Sequence, residues 1–383
     1  MDLSFHPSPP TVGVEIELAL VDKVSLDLTD RVQPLIQPFV GHPDVKPEVF
    51  RCAIEVTSPP GRSTSELEAG LLALLADVRR RAGEIGVRLH GGGTHPFSSR
   101  YVGVTPEPRF LEAERAGRYL SHTNVTFSTH VHVGMPSAPG CVRALVCLRG
   151  AVPALLALSA SSPLFHGVDT GFCSFRHRLL AGLRNYGVPP HFDSWEDVES
   201  TFTLAERAGI APTLRDVHWD LRPRPDLGTL ELRVLDAQPR VRGSLGLAAL
   251  VHALLVYALE ADQPELGGRL VPPLPWWVEK ENGFRASRDG LDAELVVDRG
   301  GATRSARDVV VGLFALAAPI AAQLGESEHL RAALDLLEGG TEAERLRARL
   351  HRGSRPDEIV AALVQSLDGE LDSRRDLGAA PSS

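Results

Sequence analysis

The sequence predicts an α+β fold, and three observations carry that prediction. Several short runs alternate polar and apolar residues with a period of two, and longer runs between them repeat apolar residues at helical spacing. The alternation is clean, which fits an antiparallel or mixed sheet with one covered face better than a parallel sheet buried on both.

The first strand is "TVGVEIELALV". Val12, Val14, Ile16, Leu18 and Leu20 share one face, leaving Gly13, Glu15, Glu17 and Ala19 on the other. In "RCAIEVTSPP", Cys52, Ile54 and Val56 oppose Ala53, Glu55 and Thr57. "VRLHGGGTHP" reads as a short strand entering a glycine loop at 91–93. A run centred on "STHVHVGM" puts Val125, Phe127, Val131 and Val133 on one side and Ser128, His130 and His132 on the other. In "GTLELRVLDA", Leu230, Leu232 and Val234 oppose Thr229, Glu231 and Arg233.

Helices fill the intervals. Ser63 and Glu66 form a capping-box signature ahead of Leu67, Leu71, Leu74, Leu75 and Val78. "CVRALVCLRGAVPALLALSASS" is helical with a break expected near Pro153. Segments 243–261, 304–324 and 327–367 also read as helical, "DQPELGGRLVPPLPWW" as a loop, and the last dozen residues as a frayed tail.

Composition narrows the class of protein. Of 383 residues, 43% are hydrophobic and 23% charged, as in a soluble globular protein able to bury a core. The net charge of −9 includes no basic tract, which argues against nucleic acid or an anionic membrane surface as partner. The four cysteines lack C-x-x-C spacing and read as buried free thiols of a cytoplasmic protein. "MDLSFHPSPPTVG" has neither the basic nor the apolar region of a signal peptide. The apolar stretches near 243–259 and 309–324 fall short of the roughly 20 residues that span a bilayer and read as buried helices.

Side by side, the polar faces offer Glu15, Glu17, Glu55, His130, His132, Glu231 and Arg233. Residues two apart lie about 6.6 Å apart along a strand, so carboxylates on neighbouring strands can converge on shared cations. A lone Glu-x-Glu is usually a solvated edge, and a lone Glu-x-Arg a cross-strand salt bridge. Recurrence on three strands favours a site. Carboxylates outnumber imidazoles, which suits Mg²⁺ or Mn²⁺ better than zinc. Divalent ions held by carboxylates beside an arginine are equipment for phosphoryl transfer, although no Walker-type loop occurs.

These residues resemble a family: the type 2 glutamate–cysteine ligases and carboxylate–amine ligases, which share the glutamine synthetase catalytic fold. The resemblance runs through "GVEIEL", "IEVTSPP", "GGGTHPFS", "HVHVGM", "SSPLFHGVDTGFCSFR", "HWDLRP", "GTLELRVLDAQP", "ENGFRASRDGLDAELV" and "EAERLR". It implies a curved, mainly antiparallel sheet with helices on the outer face, in one catalytic domain over 1–371 followed by a flexible tail at 372–383. It also implies ATP as cosubstrate, with Glu15, Glu17, Glu55, His132 and Glu231 holding Mg²⁺, or Mn²⁺, on the nucleotide phosphates.

Arg233, with Glu231, would serve the phosphoryl group in transfer from ATP to a substrate carboxylate. An amine would then attack the acyl phosphate, with glutamate as donor and cysteine or another amino acid or amine as acceptor. Arg176, Arg222 and Arg288 are implied to grip substrate carboxylates or nucleotide phosphates, each with a structural ion pair as the alternative. Thr94 and His95 fall in a loop near the substrate, His130 orients a neighbour or substrate, and Asn282 and Arg285 are ligand contacts unless Asn282 caps a helix. His218 stands where the family commonly has tryptophan, and Leu346 where glutamine is commoner, which leaves the amino-acid pockets open. The expected partners are small molecules, and the resemblance is compatible with a homodimer. Two rivals remain: a metal-dependent hydrolase built on His130 and His132, and a non-catalytic protein that keeps the fold.

Overall fold

Strand β1 (Val12–Asp22) is the spine of the sheet in the computed structural model, which describes residues 1–260 and 271–378. The other strands are β2 (Val45–Pro47), β3 (Ala53–Thr57), β4 (Val87–His90), β5 (Thr129–Gly134), β6 (Leu221–Arg224) and β7 (Thr229–Leu232). They form a seven-stranded antiparallel sheet in the order β6-β7-β5-β1-β3-β2, while β4 pairs with the C-terminal part of β1 beyond the end of β5. The α+β class and the antiparallel sheet agree with the alternation of the sequence.

Register decides which side chains meet. Glu15 lies opposite His130 and Thr57, Glu17 opposite Glu55, and Glu231 opposite both His132 and Arg222. Directly opposed residues project to the same face, so these pairs build one polar surface. Val12, Val14, Ile16, Leu18, Ile54, Val56, Val131, Val133, Leu230 and Leu232 point the other way, into the main core.

Helices cover that apolar face. Helix α1 (Thr64–Glu84) starts at Ser63, whose hydroxyl accepts from the Glu66 N–H. Glu66 does not return the bond to Ser63 as a capping box would; it accepts from the Arg62 N–H (2.8 Å) and pairs with the Arg62 guanidinium. Helices α2 (Ala138–Arg149) and α3 (Val152–Ser159) meet at 64°. Pro153 occupies the first turn of α3, where its missing N–H goes unneeded, so the break precedes the proline. Helix α4 (Val241–Glu260) runs against the sheet and packs on α5 (Ala306–Gln323) and α6 (Ser327–Glu338). By length and composition α4 and α5 are long and apolar enough to cross a membrane, contrary to the expectation from length. Burial is what marks α4 as a core helix: 78% of its most apolar window is enclosed by protein.

A second apolar cluster closes one end of the polar face. It joins Ala19, Val21, Cys52, Ala53, Val102, Val125, Phe127, Val360 and Val364. Cys52, Val125 and Phe127 therefore depart from the predicted face. β3 begins at Ala53 and β5 at Thr129, and outside the ladder the chain no longer keeps the phase of a strand.

The predicted C-terminal helical block is three helices, α6, α7 (Glu342–His351) and α8 (Pro356–Gly378). α8 passes the predicted boundary at 371, so the start of the expected tail is helical, and residues 379–383 lie outside the described residues. The loop predicted over "DQPELGGRLVPPLPWW" falls outside them at 262–270, and Trp276 begins a helix, Trp276–Asp289. All four cysteines are free; Cys147 is half-buried and the others buried.

Candidate active site

The polar face gathers two carboxylate clusters. In the first, ligand atoms of Glu15, His132 and Glu231 lie within 4.8 Å of one another; in the second, those of Glu17, Glu48 and Glu55 do the same. Glu48 was not among the residues singled out from sequence. It directly follows the three-residue β2, too short for an alternation to reveal, although "KPE" preceding a paired strand is an available signal.

The two histidines have different surroundings. His130 is engaged at both nitrogens, Nδ1 with Glu15 Oε2 (3.0 Å) and Nε2 with Ser128 Oγ (2.9 Å). Burial, with Arg233 adding to it, lowers its pKa to about 4, so it is neutral at physiological pH. His132 Nδ1 bonds Thr229 Oγ1 (3.1 Å), while its shielded Nε2 has no hydrogen-bond partner among the described residues. That nitrogen sits 3.3 Å from Glu15 Oε1 and 3.7 Å from Glu231 Oε1. In the neutral tautomer that donates Nδ1–H to Thr229, Nε2 would offer a lone pair between two carboxylates, which is the donor set of a cation site. A paired-imidazole zinc site of the kind a hydrolase would use is not favoured, because both His130 nitrogens are taken.

Arginines balance Glu231, which is fully buried. Arg222 grips it with Nε (2.9 Å) and Nη2 (3.1 Å), and spends Nη1 on the carbonyls of Val217 (2.6 Å) and Leu214 (3.3 Å). Its donors are thus consumed by protein, which makes Arg222 a clamp on Glu231 and leaves it little to offer a ligand. Arg233 donates Nη1 to Glu231 Oε1, and its side chain keeps 18% of its surface exposed. Arg176 donates to the carbonyls of Val234 and Arg233 (both 3.1 Å) and lies 3.6 Å from Asp236 Oδ1. Asp236 accepts from Ser161 N–H, Ser162 Oγ and Ser174 Oγ, tying "SSPLFHGVDTGFCSFR" to the strand that carries Arg233.

Other predicted site residues spend their polar groups on the scaffold. Thr94 donates to the Leu164 carbonyl (2.8 Å). His95 bonds the Leu26 carbonyl through Nε2 and accepts from the Ser98 N–H (2.9 Å) through Nδ1. Asn282 sits inside its helix and pins Val296 by two hydrogen bonds, so it is neither a cap nor free for a ligand. Arg285 bonds Glu281 and the Glu294 carbonyl, and Arg288 pairs with Asp289 at the surface. The structure does not bring these five onto the acidic face. Leu346 belongs to a small apolar cluster with Leu164, Ile359 and Leu363, and His218 is pushed down to about 3 by burial, then by Arg233 and Arg222. A cavity of about 470 Å³, lined by Arg149, His191, Trp219 and Trp276 among others, has none of the clustered carboxylates in its wall.

Electrostatics separate the two clusters. Burial pushes Glu15 and Glu231 up, but His132 and His130 beside Glu15, and Arg233 and Arg222 beside Glu231, outweigh it and hold both well below the usual carboxylate range. In the second cluster burial prevails, raising Glu17 and Glu48 and lifting Glu55 well above its ordinary value with help from Glu15 and Glu48. Lys46 at 3.6 Å from Glu55 is too little compensation. Three oxygen donors in this state fit a hard divalent cation, which would supply the missing positive charge.

A carboxyl raised on folding is accommodated below its ordinary 4.5 and costs stability as pH climbs through its folded value. Glu55 is therefore expected to cost the metal-free protein more stability at pH 8 than at pH 5.5, against buried imidazoles such as His130 whose lowered pKa works in the opposite direction, and Mg²⁺ to restore more at pH 8 than at pH 5.5. Glu55→Gln should raise the metal-free melting temperature at pH 8 by about 2 °C or more and shrink the Mg²⁺ increment. Thermal melts in chelator and in Mg²⁺ check this; an undiminished increment in the variant would remove Glu55 from the cation set.

Comparison with known proteins supplies the family. The glutamate-cysteine ligase family 2 (GCS2) matches residues 11–366. A relative from Trichormus variabilis, named "Putative glutamate--cysteine ligase 2", is 39% identical over 371 residues, covering 97% of this chain and 96% of its own. One of the same name from Bordetella avium is 35% identical, covering 96% and 91%. Among solved structures, the glutamate–cysteine ligase of Francisella tularensis in complex with AMP superposes with TM-score 0.65 at 13% identity, covering 99% of this chain and 97% of that one. The bifunctional glutathione synthetase of Pasteurella multocida gives TM-score 0.66 at 15% identity, covering 96% of this chain and 53% of that one. The chain belongs to glutamate-cysteine ligase family 2 and is, with that family, an ATP-dependent carbon–nitrogen ligase.

Proposed function

We propose that the enzyme joins a carboxylate to an amine through an acyl phosphate, with glutamate as donor and cysteine or another amino acid or amine as acceptor. The observation that carries this reading is the adjacency of two carboxylate-rich clusters to a partly exposed arginine on one sheet face. A carboxylate is a poor acylating agent, so it needs a better leaving group, and the γ-phosphate of ATP provides one.

Glu15, His132 and Glu231 would hold one divalent ion and Glu17, Glu48 and Glu55 a second, with Mg²⁺ favoured and Mn²⁺ admitted by the oxygen-rich donor set. Such ions screen the repulsion between triphosphate and carboxylate. Arg233 presents a planar donor fork to the transferred phosphoryl group, while Arg222 keeps Glu231 ionised and aimed. His130 orients Glu15 through its 3.0 Å hydrogen bond. The amine nitrogen then attacks the acyl carbon, the carbon–oxygen bond to phosphate breaks, phosphate leaves with the bonding electrons, and the nitrogen releases a proton to give the neutral amide.

The test is a screen of ADP release over carboxylates and amines in Mg²⁺, with mass spectrometry of any new amide. ADP release that requires both substrates supports the ligase, whereas turnover without nucleotide and one tightly held zinc would support the hydrolase instead. Within this scheme His132→Ala should weaken binding of a non-hydrolysable MgATP analogue by about 10- to 100-fold and His130→Ala by clearly less. The reverse ranking in a calorimetric titration would exchange their roles.

A further inference from the structure

Beyond Arg233 the acidic face continues into a group of buried polar atoms without a hydrogen-bond partner among the described residues. The ladder pairs Leu221 with Leu232 and Arg222 with Glu231, and the Asp220 carbonyl accepts from the Arg233 N–H at 2.8 Å. Asp220 therefore stands opposite Arg233 in the continued register, with both side chains directed to the metal-binding face. Arg233 turns its guanidinium toward Glu231. Asp220 is only 4% exposed, and its Oδ1 has no hydrogen-bond partner among the described residues.

Two neighbours share that condition. His177, 6% exposed, has Nε2 3.7 Å from Asp220 Oδ1 and an unpartnered Nδ1. The ring of Tyr186 lies 5.6 Å from that of His177, and its shielded hydroxyl is also unpartnered. Burial, with Asp220 adding to it, pushes the Tyr186 hydroxyl above its ordinary value, so it stays a neutral group able to accept. Arg176, whose Nε is likewise unpartnered, lies close enough to act on the same hydroxyl. Buried groups left unpaired are costly, and a cluster of them beside a reaction centre indicates that a ligand completes it.

We propose that Asp220, His177 and Tyr186 form a subsite for the primary ammonium group of an amino-acid substrate, one step along the sheet from Arg233. An ammonium has three donors and no acceptor, matching a carboxylate oxygen, an imidazole lone pair and a phenolic oxygen. Arg176 Nε, which has no partner among the described residues, is left for the carboxylate of the same zwitterion. The subsite rests on the ligase reading for its place in the reaction, and two substrates can bring an ammonium to it: the acyl donor and the attacking amine.

The experiment compares wild type with Asp220→Asn, using glutamate or its deamino counterpart glutarate as donor and cysteine or hydroxylamine, which is uncharged at neutral pH, as acceptor. The variant is expected to raise the KM of the ammonium-bearing substrate by about 10- to 100-fold. If the donor is held, the penalty appears with glutamate and vanishes with glutarate. If the acceptor is held, it appears with cysteine and vanishes with hydroxylamine. A penalty equal across all four pairs, or none, overturns the subsite while leaving the ligase standing.

Wild type that releases no ADP with any pair overturns the ligase reading by itself. Thermal shifts then decide the subsite: an amino acid should stabilise wild type more than Asp220→Asn, and glutarate should stabilise both alike. Equal shifts throughout overturn it. His177→Gln, expected to show the same ammonium-selective penalty at smaller size, guards against a folding defect peculiar to the first variant.

Discussion

Arg233→Ala is expected to lower ADP release by about 10³- to 10⁵-fold, the range associated with removing an arginine that faces a phosphoryl group in transfer. The far-ultraviolet circular dichroism spectrum should stay close to wild type. The contrast between two arginines on the same carboxylate singles out this one. Arg222 has four described hydrogen bonds and is 4% exposed, whereas the one described side-chain hydrogen bond of Arg233 goes to Glu231. Arg233→Lys keeps the charge and loses the fork, so most of the loss should persist. Substantial turnover in the alanine variant would take Arg233 out of the reaction.

Glu231→Gln should affect both activity and folding. Its carboxylate is fully buried, holds Arg222 bidentately, accepts from Arg233 and lies 3.8 Å from Arg224 Nη1. An amide of the same shape leaves these guanidinium groups without their counter-charge, and breaking a buried pair on one side costs about 3–5 kcal/mol. ADP release should fall by about 10³-fold or more, since a cation ligand and the anchor of Arg233 go together. Urea denaturation and single-turnover kinetics measured on the same preparation separate the two losses. A variant of wild-type stability would show that the arginines find other partners.

Much of this site was legible because strand alternation is strict inside a ladder. Glu15, Glu17, Glu55, His130, His132 and Glu231 needed only the period of two to be placed on one face, and the register then sets them opposite one another. Outside the ladders the same rule misplaced Phe127, Val125 and Cys52. Glu48 escaped because three residues of β2 carry no period. Asn282 and His95 looked like ligand contacts as sequence motifs, yet both complete backbone hydrogen bonds, a use that no linear pattern distinguishes from binding. The difference between Arg222 and Arg233 was illegible for a related reason. It depends on whether carbonyls of residues 214 and 217 come within reach, which is settled by tertiary packing.

Because β1 pairs with β3, β4 and β5, a single inserted residue near its middle would act as a switch with no intermediate setting. Every downstream side chain of β1 would change faces, turning Glu17 into the hydrocarbon layer and Leu18 toward the acidic face. Such a protein could not become an inactive but sound scaffold; it would be cleared as an unfolded chain. Substitutions can tune this enzyme, whereas length changes in β1 can only keep it or destroy it. A library of single-codon insertions scored separately for abundance and activity should therefore show the two falling together in β1, and falling apart in the loop after Gly91.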